Sequence, residues 1–402
     1  MRNAVVVSAV RTPLGAIGGT LKNVQPETLL AAVFEAAIEK AKIDKDIIDE
    51  VIAGQAKQCT DQPNIARLSS LMVRIPEKTP AYTVHRQCAS GMQAILSGLQ
   101  QIQCGYSDAV LCGGVESMSS APFYIRGARF GVGNGNTVLV DPNTESQPRS
   151  QPNDIYGTFN MIQTADNVAR LYGISREECD AFGYASQQKA VAAIDAGRFR
   201  DEIIPISIPQ RKKEPIFFDT DEYPKRDTSP EKMAKLKPIF PEGVTTAGNA
   251  SGRNDGASAL LIMEEKKAEM LGLQPIARII AGCAAGVDPK VMGLGPVAAT
   301  EKLFNRFLSP MGMKMDDFGL IELNEAFAAQ SLGCIKLLDW QDRMDTINVN
   351  GGAIALGHPL GCSGARISTT LLHEMQKRKT NFGLATICIA GGLGMSMAFE
   401  RL

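Results

Sequence analysis

Three short motifs recur in the same order at nearly the same spacing, and few folds accommodate that. Lys42-Ile43-Asp44 through Asp49-Glu50-Val51-Ile52 is echoed by Lys314-Met315-Asp316 through Ile321-Glu322-Leu323-Asn324. Ser90-Gly91-Met92 and Ser363-Gly364-Ala365 each open an amphipathic stretch of helical period, and Ser363 follows Ser90 at almost the interval by which Asp316 follows Asp44. Asp108 to Cys112 closed by Gly113-Gly114, and Leu384 to Cys388 followed by Gly391-Gly392, read as buried strands ending in glycine, with only a slightly longer interval from Gly113 to Gly391. Each match is weak alone, but ordered matches at near-constant offset predict two similar α/β domains. A chain of 402 residues also exceeds the usual reach of one hydrophobic core. Apolar strands alternating with helices in both halves predict largely parallel sheets covered by helices. Ser90 and Ser363 suit helix N-caps, where a hydroxyl accepts from an exposed N–H.

Between the halves, residues 121–244 depart from the pattern. Gly131-Val132-Gly133-Asn134-Gly135-Asn136 and the stretch from Pro142-Asn143 to Pro152-Asn153 are loop-rich. A long helical stretch follows Ile174, with Ser175 as cap and Glu178 three residues on. The expected organisation is a first half over 1–120 plus 245–270, an inserted segment over 121–244, and a second half over 271–402. The crossover between halves is expected in the charged stretch near 264–275.

Charge narrows the partners. Lys and Arg total 42 against 43 Asp and Glu, for a net charge of −1, so no basic face for a nucleic acid is expected. The densest runs, Arg211-Lys212-Lys213 and Glu264-Glu265-Lys266-Lys267, read as solvated surface. No apolar stretch reaches membrane-spanning length. Asn3 to Val10 reads as a first strand rather than a targeting segment. Nine cysteines without a Cys-x-x-Cys pair suggest neither a disulfide scaffold nor a metal site, and fit a reducing cytoplasm.

Three residues stand out for chemistry. Cys88 lies at a strand-to-helix turn, where peptide dipoles favour a thiolate and backbone N–H groups can hold an oxyanion. By position alone it reads equally as a small packed residue. His358, one of 3 histidines, sits in a glycine-rich loop before Pro359, where backbone can approach a ligand closely. Cys388 ends a buried strand before glycines, a place where α/β proteins bind ligands. His373 reads as surface or packing, and His85 is ambiguous. Cys59, Cys104, Cys112, Cys179, Cys283, Cys334 and Cys362 read as structural. Asn324-Glu325, after the strand Gly319 to Leu323, can position a water or a histidine, and Asn324 can cap the helix from Ala326 as well. A nucleophilic thiol, an imidazole base and a second proton-handling thiol make a set for acyl transfer. The glycine runs lack dinucleotide or phosphate-loop spacing.

The segments around Cys88, Asn324, His358 and Cys388 resemble those of the thiolases, in the family's order and spacing. Arg11-Thr12-Pro13, Gly113 to Ser119 and Thr246 to Gly252 support the resemblance, which runs to Leu402. It implies a duplicated five-layer αβαβα sandwich with an inserted loop domain. It also implies that Cys88 takes the acyl group from a thioester, that His358 activates it, and that Cys388 moves the α-proton of acetyl-CoA. Asn324 would hold a water that forms one oxyanion hole with His358, and the N–H groups of Cys88 and Ala390 would form the other. Met161 and Ser251 would lie near the pantetheine arm of coenzyme A, while Met292 and Phe327 would shape the acyl pocket. Coenzyme A thioesters would be the substrates, no cofactor or metal would be needed, and the chain would be a dimer or tetramer. Three positions depart from common family residues: His85 stands for Asn, Ala390 for glycine, and Asn160 for the histidine before the Met161 position in short-chain biosynthetic members. The implied activity is acetyl-CoA acetyltransferase, by a ping-pong acyl-cysteine cycle. The alternatives are a degradative 3-ketoacyl-CoA thiolase, a decarboxylating condensing enzyme, a non-catalytic CoA-binding scaffold and a cysteine hydrolase.

Overall fold

Side chains that alternate across the first strand set the layers of the molecule. In β1 (Ala4–Arg11), Val5 and Val7 join one buried core while Ala4 and Val6 join another on the opposite face. The structure is a computed structural model that describes residues 2–211 and 213–402. The further strands are β2 (Gly15–Ala16), β3 (Glu50–Gly54), β4 (Ala81–Val84), β5 (Ala109–Ser117), β6 (Ile206–Gln210), β7 (Lys213–Phe218), β8 (Asn254–Glu264), β9 (Ala277–Gly286), β10 (Phe318–Leu323), β11 (Phe382–Ile389) and β12 (Leu393–Arg401).

Ten of these strands form one continuous sheet, in the order β10-β11-β12-β9-β1-β8-β5-β3-β4 with β2 beside β8. The duplication is visible in that order. The first half runs β4-β3-β5-β8-β1 and the second runs β10-β11-β12-β9, with a parallel bridge from Ile321 to Ile347 where β4 would stand. A short 3-10 turn precedes the equivalent strands β3 and β10, at Lys45–Ile47 and Met315–Asp317. The halves join where β1 and β9 pair antiparallel, from Ala4 opposite Ile279 to Val6 opposite Ala277.

Helices complete five layers. Helices Ser90–Cys104 and Leu360–Arg378 fill the middle, where Ile95, Leu99, Ile367 and Leu371 share a core with Val6, Ile262, Ile387 and Met397 from both halves of the sheet. Outside the first half, helix Pro26–Ala41 packs Leu30 and Phe34 on Leu111 and Leu261. Outside the second, helices Gly295–Leu303 and Ala328–Leu337 pack Leu303 and Ile335 against Ile321 and Leu384.

The expectation of largely parallel sheets is corrected. Only β3–β4, β3–β5 and β10–β11 run parallel, and the remaining pairs are antiparallel. Three residues, Ala390-Gly391-Gly392, join β11 to β12, too few for a crossover, so the chain folds back as a hairpin. Gly391 and Gly392 take φ of 92° and 80° in that turn, conformations that glycine adopts without strain. The third sequence match is corrected as well. Gly113 and Gly114 do not end a strand, because β5 continues to Ser117. They admit close approach instead, since a Cβ on Gly114 would stand 2.3 Å from the Gly361 carbonyl oxygen.

The segment between β5 and β8 carries helices Met161–Tyr172 and Arg176–Asp195 and the separate hairpin β6–β7. The Ser175/Glu178 capping box is formed. Arg11 ties this segment to β1: its guanidinium, fully buried, donates to Glu202 at 2.6 Å and forks onto Asp221 at 2.8 and 2.9 Å. Glu264 is not solvated surface. It is buried and caps helix Glu265–Met270 by accepting the Lys267 N–H at 2.8 Å. Arg211 and Lys213 are exposed, while Lys212 of that run lies outside the described residues.

Candidate active site

A turn between β4 and helix Ser90–Cys104 presents Cys88. Gln87, just before it, holds φ of 46°, a left-handed conformation seldom taken by a residue other than glycine. Hydrogen bonds over-determine the turn: Ala89 N–H donates to the Arg86 carbonyl at 3.0 Å and Ser90 N–H to that of Gln87 at 3.1 Å. Ser90 Oγ donates to the Gln87 carbonyl at 2.7 Å and accepts the Arg86 N–H at 2.9 Å. Ser90 is therefore the first helical residue and not the cap, since its hydroxyl is spent closing the turn that carries the thiol; the cap position is Ala89. Burial pushes the thiol up to about 11, while the Ala390 N–H, the Lys57 ammonium and the cysteine's own N–H pull it down.

His358 is held at two points. Its backbone N–H donates to Asn254 Oδ1 at 2.9 Å, and its Nδ1 lies 2.6 Å from Ser363 Oγ. The Ser363 hydrogen goes to the Pro359 carbonyl at 2.9 Å, so the oxygen can only accept from the ring. That assigns the proton to Nδ1 and leaves the lone pair on Nε2, which has no protein partner. Ser363 lies inside the first turn of helix Leu360–Arg378, so it orients the histidine and does not cap the helix as expected. Burial, and then the charge of Arg366, push His358 down to about 3, and the resting ring is neutral.

Cys388 is the penultimate residue of β11, at 1% exposure. Burial drives its thiol well above the usual range, and the neighbouring Cys88 and Cys334 add to this. With charge on Cys88 the Cys388 thiol holds its proton the more tightly.

Cys88, His358, Cys388 and Ala390 line one cavity of about 280 Å³, together with Met161, Ser251, Met292 and Phe327. Asn324 stands apart from that wall. It is fully buried, and neither Oδ1 nor Nδ2 has a protein partner, although its N–H donates to the Thr386 carbonyl at 2.9 Å. It does not cap the next helix, which begins at Ala328 after a further turn in which Ala326 N–H bonds the Asn324 carbonyl at 3.1 Å. Asn160 caps helix Met161–Tyr172 in a capping box with Gln163. His373 Nε2 bonds the Ala9 carbonyl at 2.9 Å, a packing role. His85 is exposed on a second cavity beside the first.

Buried carboxylates hold the loops. Glu325 accepts from Ser186 Oγ at 2.6 Å, Asn348 Nδ2 at 2.7 Å and Ile354 N–H at 3.2 Å, and so fixes the stretch leading to His358. Glu116 accepts the N–H groups of Ala56 and Lys57 at 3.0 Å each and of Gly361 at 2.9 Å, joining the end of β3 to the helix after His358. Lys57, Ser363, Asn254 and Glu116 were not singled out for the site from sequence. The available signal was their position just after or just inside strand and helix ends. Among the described residues, no group of three or more His, Cys, Asp or Glu is placed to hold a metal ion, and no helix is long and apolar enough to cross a membrane.

Family comparisons agree with this geometry. Residues 4–266 match the family model described as thiolase, N-terminal domain, and residues 273–401 that described as thiolase, C-terminal domain. An acetyl-CoA acetyltransferase of Pseudomonas aeruginosa is 47% identical over 402 residues, covering 100% of both chains. The crystal structure of the Bacillus anthracis acetyl-CoA acetyltransferase superposes with a TM-score of 0.95 at 43% identity, covering 100% of this chain and 99% of that one. Human mitochondrial 3-ketoacyl-CoA thiolase in complex with CoA gives 0.92 at 40% identity, covering 100% and 98%.

Proposed function

The chain belongs to the thiolase family, and from that premise we propose that it is an acetyl-CoA acetyltransferase, joining two acetyl-CoA into acetoacetyl-CoA and CoA and running the reverse thiolysis. The observation that carries the reading is a single cavity lined by two thiols and an imidazole whose Nε2 is unpaired. The relatives named acetyl-CoA acetyltransferase support the substrate.

In this reading Cys88 attacks the thioester carbonyl while His358 Nε2 takes its proton. A neutral thiol beside a neutral imidazole suits that task, because charge develops only as the bond forms. The oxyanion is received by the N–H groups of Cys88 and Ala390, a pairing supported by the place of both residues on the wall of one cavity. CoA leaves with the proton from His358, and the acetyl group stays on Cys88. His358, neutral again, takes the proton of the Cys388 thiol; the Cys388 thiolate withdraws the α-proton of a second acetyl-CoA, the enolate attacks the acyl-cysteine, and Cys88 leaves and recovers its proton from His358. Enolate charge falls on the second oxyanion hole, from His358 and a water on Asn324; the unpartnered buried amide of Asn324 supports that role, since such a group demands a partner. Met161 and Ser251 would flank the pantetheine arm, and Met292 and Phe327 the acyl group. The cycle needs no metal or bound cofactor.

The reading extends to a homo-oligomer, dimer or tetramer, in the cytoplasm. Exposed Phe123, Phe130 and Val138 on the inserted segment support self-association, and nine free cysteines fit a reducing compartment.

Partial reactions test the assignment. Cys88→Ser should lose acetyl transfer by about 10²-fold or more. Cys388→Ser should still release one equivalent of CoA from acetyl-CoA, yet fail to exchange the α-proton and fail to turn over. A folded wild-type protein with no CoA-dependent cleavage of acetoacetyl-CoA would sink the reading. A series of longer 3-ketoacyl-CoA substrates decides between the biosynthetic and the degradative form.

A further inference from the structure

The middle layer buries a cation that the catalytic steps leave unused. Arg366 lies in helix Leu360–Arg378 with no exposure, and none of its three guanidinium nitrogens has a hydrogen-bond partner among the described residues. Its ion-pair partner is Glu322 of β10, at 3.7 Å, beyond hydrogen-bonding reach. A guanidinium does not shed its proton, so the charge and its unmet donors stay buried together at a cost in stability. Buried charges of that kind gather at functional sites.

The place of Arg366 on the helix shows what it acts on. Ser363, which accepts from His358 Nδ1 at 2.6 Å, stands one turn before it, and residues so spaced are neighbours on one helix face. Thr370, one turn after it, donates to Glu202 at 3.0 Å, the carboxylate that also accepts from Arg11. Arg366 thus stands between the base and the ion cluster that fastens the inserted segment. The charged and titratable groups that face it are Glu322, Glu202, Arg11 and Cys362. Those that face the imidazole are Cys88, Cys388, Lys57 and Arg253 on the cavity wall, with Glu116 on the Gly361 N–H. Lys57 acts on Cys88; the charge that acts on His358 is Arg366, which adds to burial in pushing the ring down. Glu322 does not cancel that effect at neutral pH. Burial pushes it up to about 8, so below that value its carboxyl holds a proton.

We propose that Arg366 is a positioning residue for the proton of the base: its charge, one helical turn behind Ser363, keeps His358 Nε2 free of a proton at the start of each half-reaction. The inference rests on the thiolase reading, in which one imidazole serves two thiols. In the first half-reaction the Cys88 proton passes to Nε2 as the sulfur bonds to the carbonyl carbon. That proton leaves on the CoA sulfur as the old carbon–sulfur bond breaks. In the second half-reaction Nε2 must be empty again to take the Cys388 proton. A ring that kept its proton would stop the second thiol from becoming a base. The nearby cation makes the imidazolium a stronger acid, and so returns the ring to neutral between the two.

The test is the acid limb of acylation, followed as CoA release from acetyl-CoA after rapid jumps from about pH 7.5 to values down to about pH 4. Arg366→Met should move the midpoint of that limb up by about one unit or more relative to the wild type. Arg366→Met combined with Glu322→Gln should do the same, and it removes both buried charges, an exchange that folds commonly tolerate. Glu322→Gln alone keeps the cation and should leave the midpoint where it is or lower it. An equal loss of rate at every pH in the Arg366 variants, with the midpoint unmoved, overturns the proposal and leaves Arg366 a packing residue. A wild-type midpoint near the ordinary histidine value overturns it too, a result that stands even where no Arg366 variant folds. Wild-type cleavage of acetoacetyl-CoA, run alongside, separates the outcomes: with it, only the Arg366 assignment fails, and without it the thiolase reading fails too.

Discussion

A hydroxyl decides which nitrogen of the candidate base is free. Ser363 Oγ accepts from His358 Nδ1 because its own hydrogen is committed to the Pro359 carbonyl. Ser363→Ala would leave a buried ring N–H without a partner and release the tautomer, a loss on the order of 1–3 kcal/mol. The acylation kcat/KM should fall about tenfold or more, with KM for acetyl-CoA less affected than kcat. A change confined to thermal stability would show that the serine merely packs. The pH profile is an independent test. His358 is depressed from 6.5 to about 3, so the ring stays neutral as pH falls through 6.5, and acylation should show no break there. A fall with a midpoint near 6.5 would contradict the buried neutral imidazole. Cys88, His358 and Cys388 stand out in the sequence because each sits in a glycine-rich, strand-end or turn context that needs a local reason. Ser363 reads there as a cap, since where a hydroxyl points depends on the chain it folds against.

Helix and strand approach closely where the site is built. β5 passes so near the middle layer that a Cβ on Gly114 would meet the Gly361 carbonyl oxygen at 2.3 Å and the Gly91 Cα at 2.9 Å. Both contacts are backbone, which cannot swing aside as a side chain can. Gly114→Ala should therefore destabilise the protein by about 1–3 kcal/mol, read as a lowered thermal midpoint. Activity should fall further than stability explains, because Gly361 is three residues from His358. An unchanged midpoint would mean that the helices slide apart freely. Element by element, the strands and the two middle helices are legible from apolar runs and helical period. Their directions are not. The sequence pattern of strand and helix is the same whether a later strand pairs parallel or folds back, and the return of β12 on β11 depends on a three-residue connection. The Gly113-Gly114 pair misleads in a similar way, since glycine marks a close neighbour as readily as a strand end.

Across the whole molecule, one buried cation fastens the inserted segment to the sheet. Arg11 on β1 reaches Glu202 and Asp221 with no exposure of its own side chain. Arg11→Met would leave two buried carboxylates without a counter-charge, at a cost of about 3–5 kcal/mol. A drop of several degrees in the thermal midpoint is expected, and a variant as stable as the wild type would assign the fastening elsewhere. The duplicated architecture is legible because the motif pairs fall on equivalent elements: Asp44 with Asp316, Ser90 with Ser363, and the run to Cys112 in β5 with the run to Cys388 in β11. What the repeats do not disclose is the seam, since β1 and β9 join the halves through backbone pairing that no side-chain pattern specifies. That seam has a consequence for how the enzyme could be divided. Setting Ser90-Gly91 on Ser363-Gly364 lays His85 over His358 and Cys88 over Gly361. One ancestral corner, written twice, supplies the nucleophile in one copy and the base in the other. Neither copy holds a full set, so the chain resembles two half-keys that turn only when pressed together. Severed near residue 272 and mixed, the two fragments would report their own docking by the return of turnover.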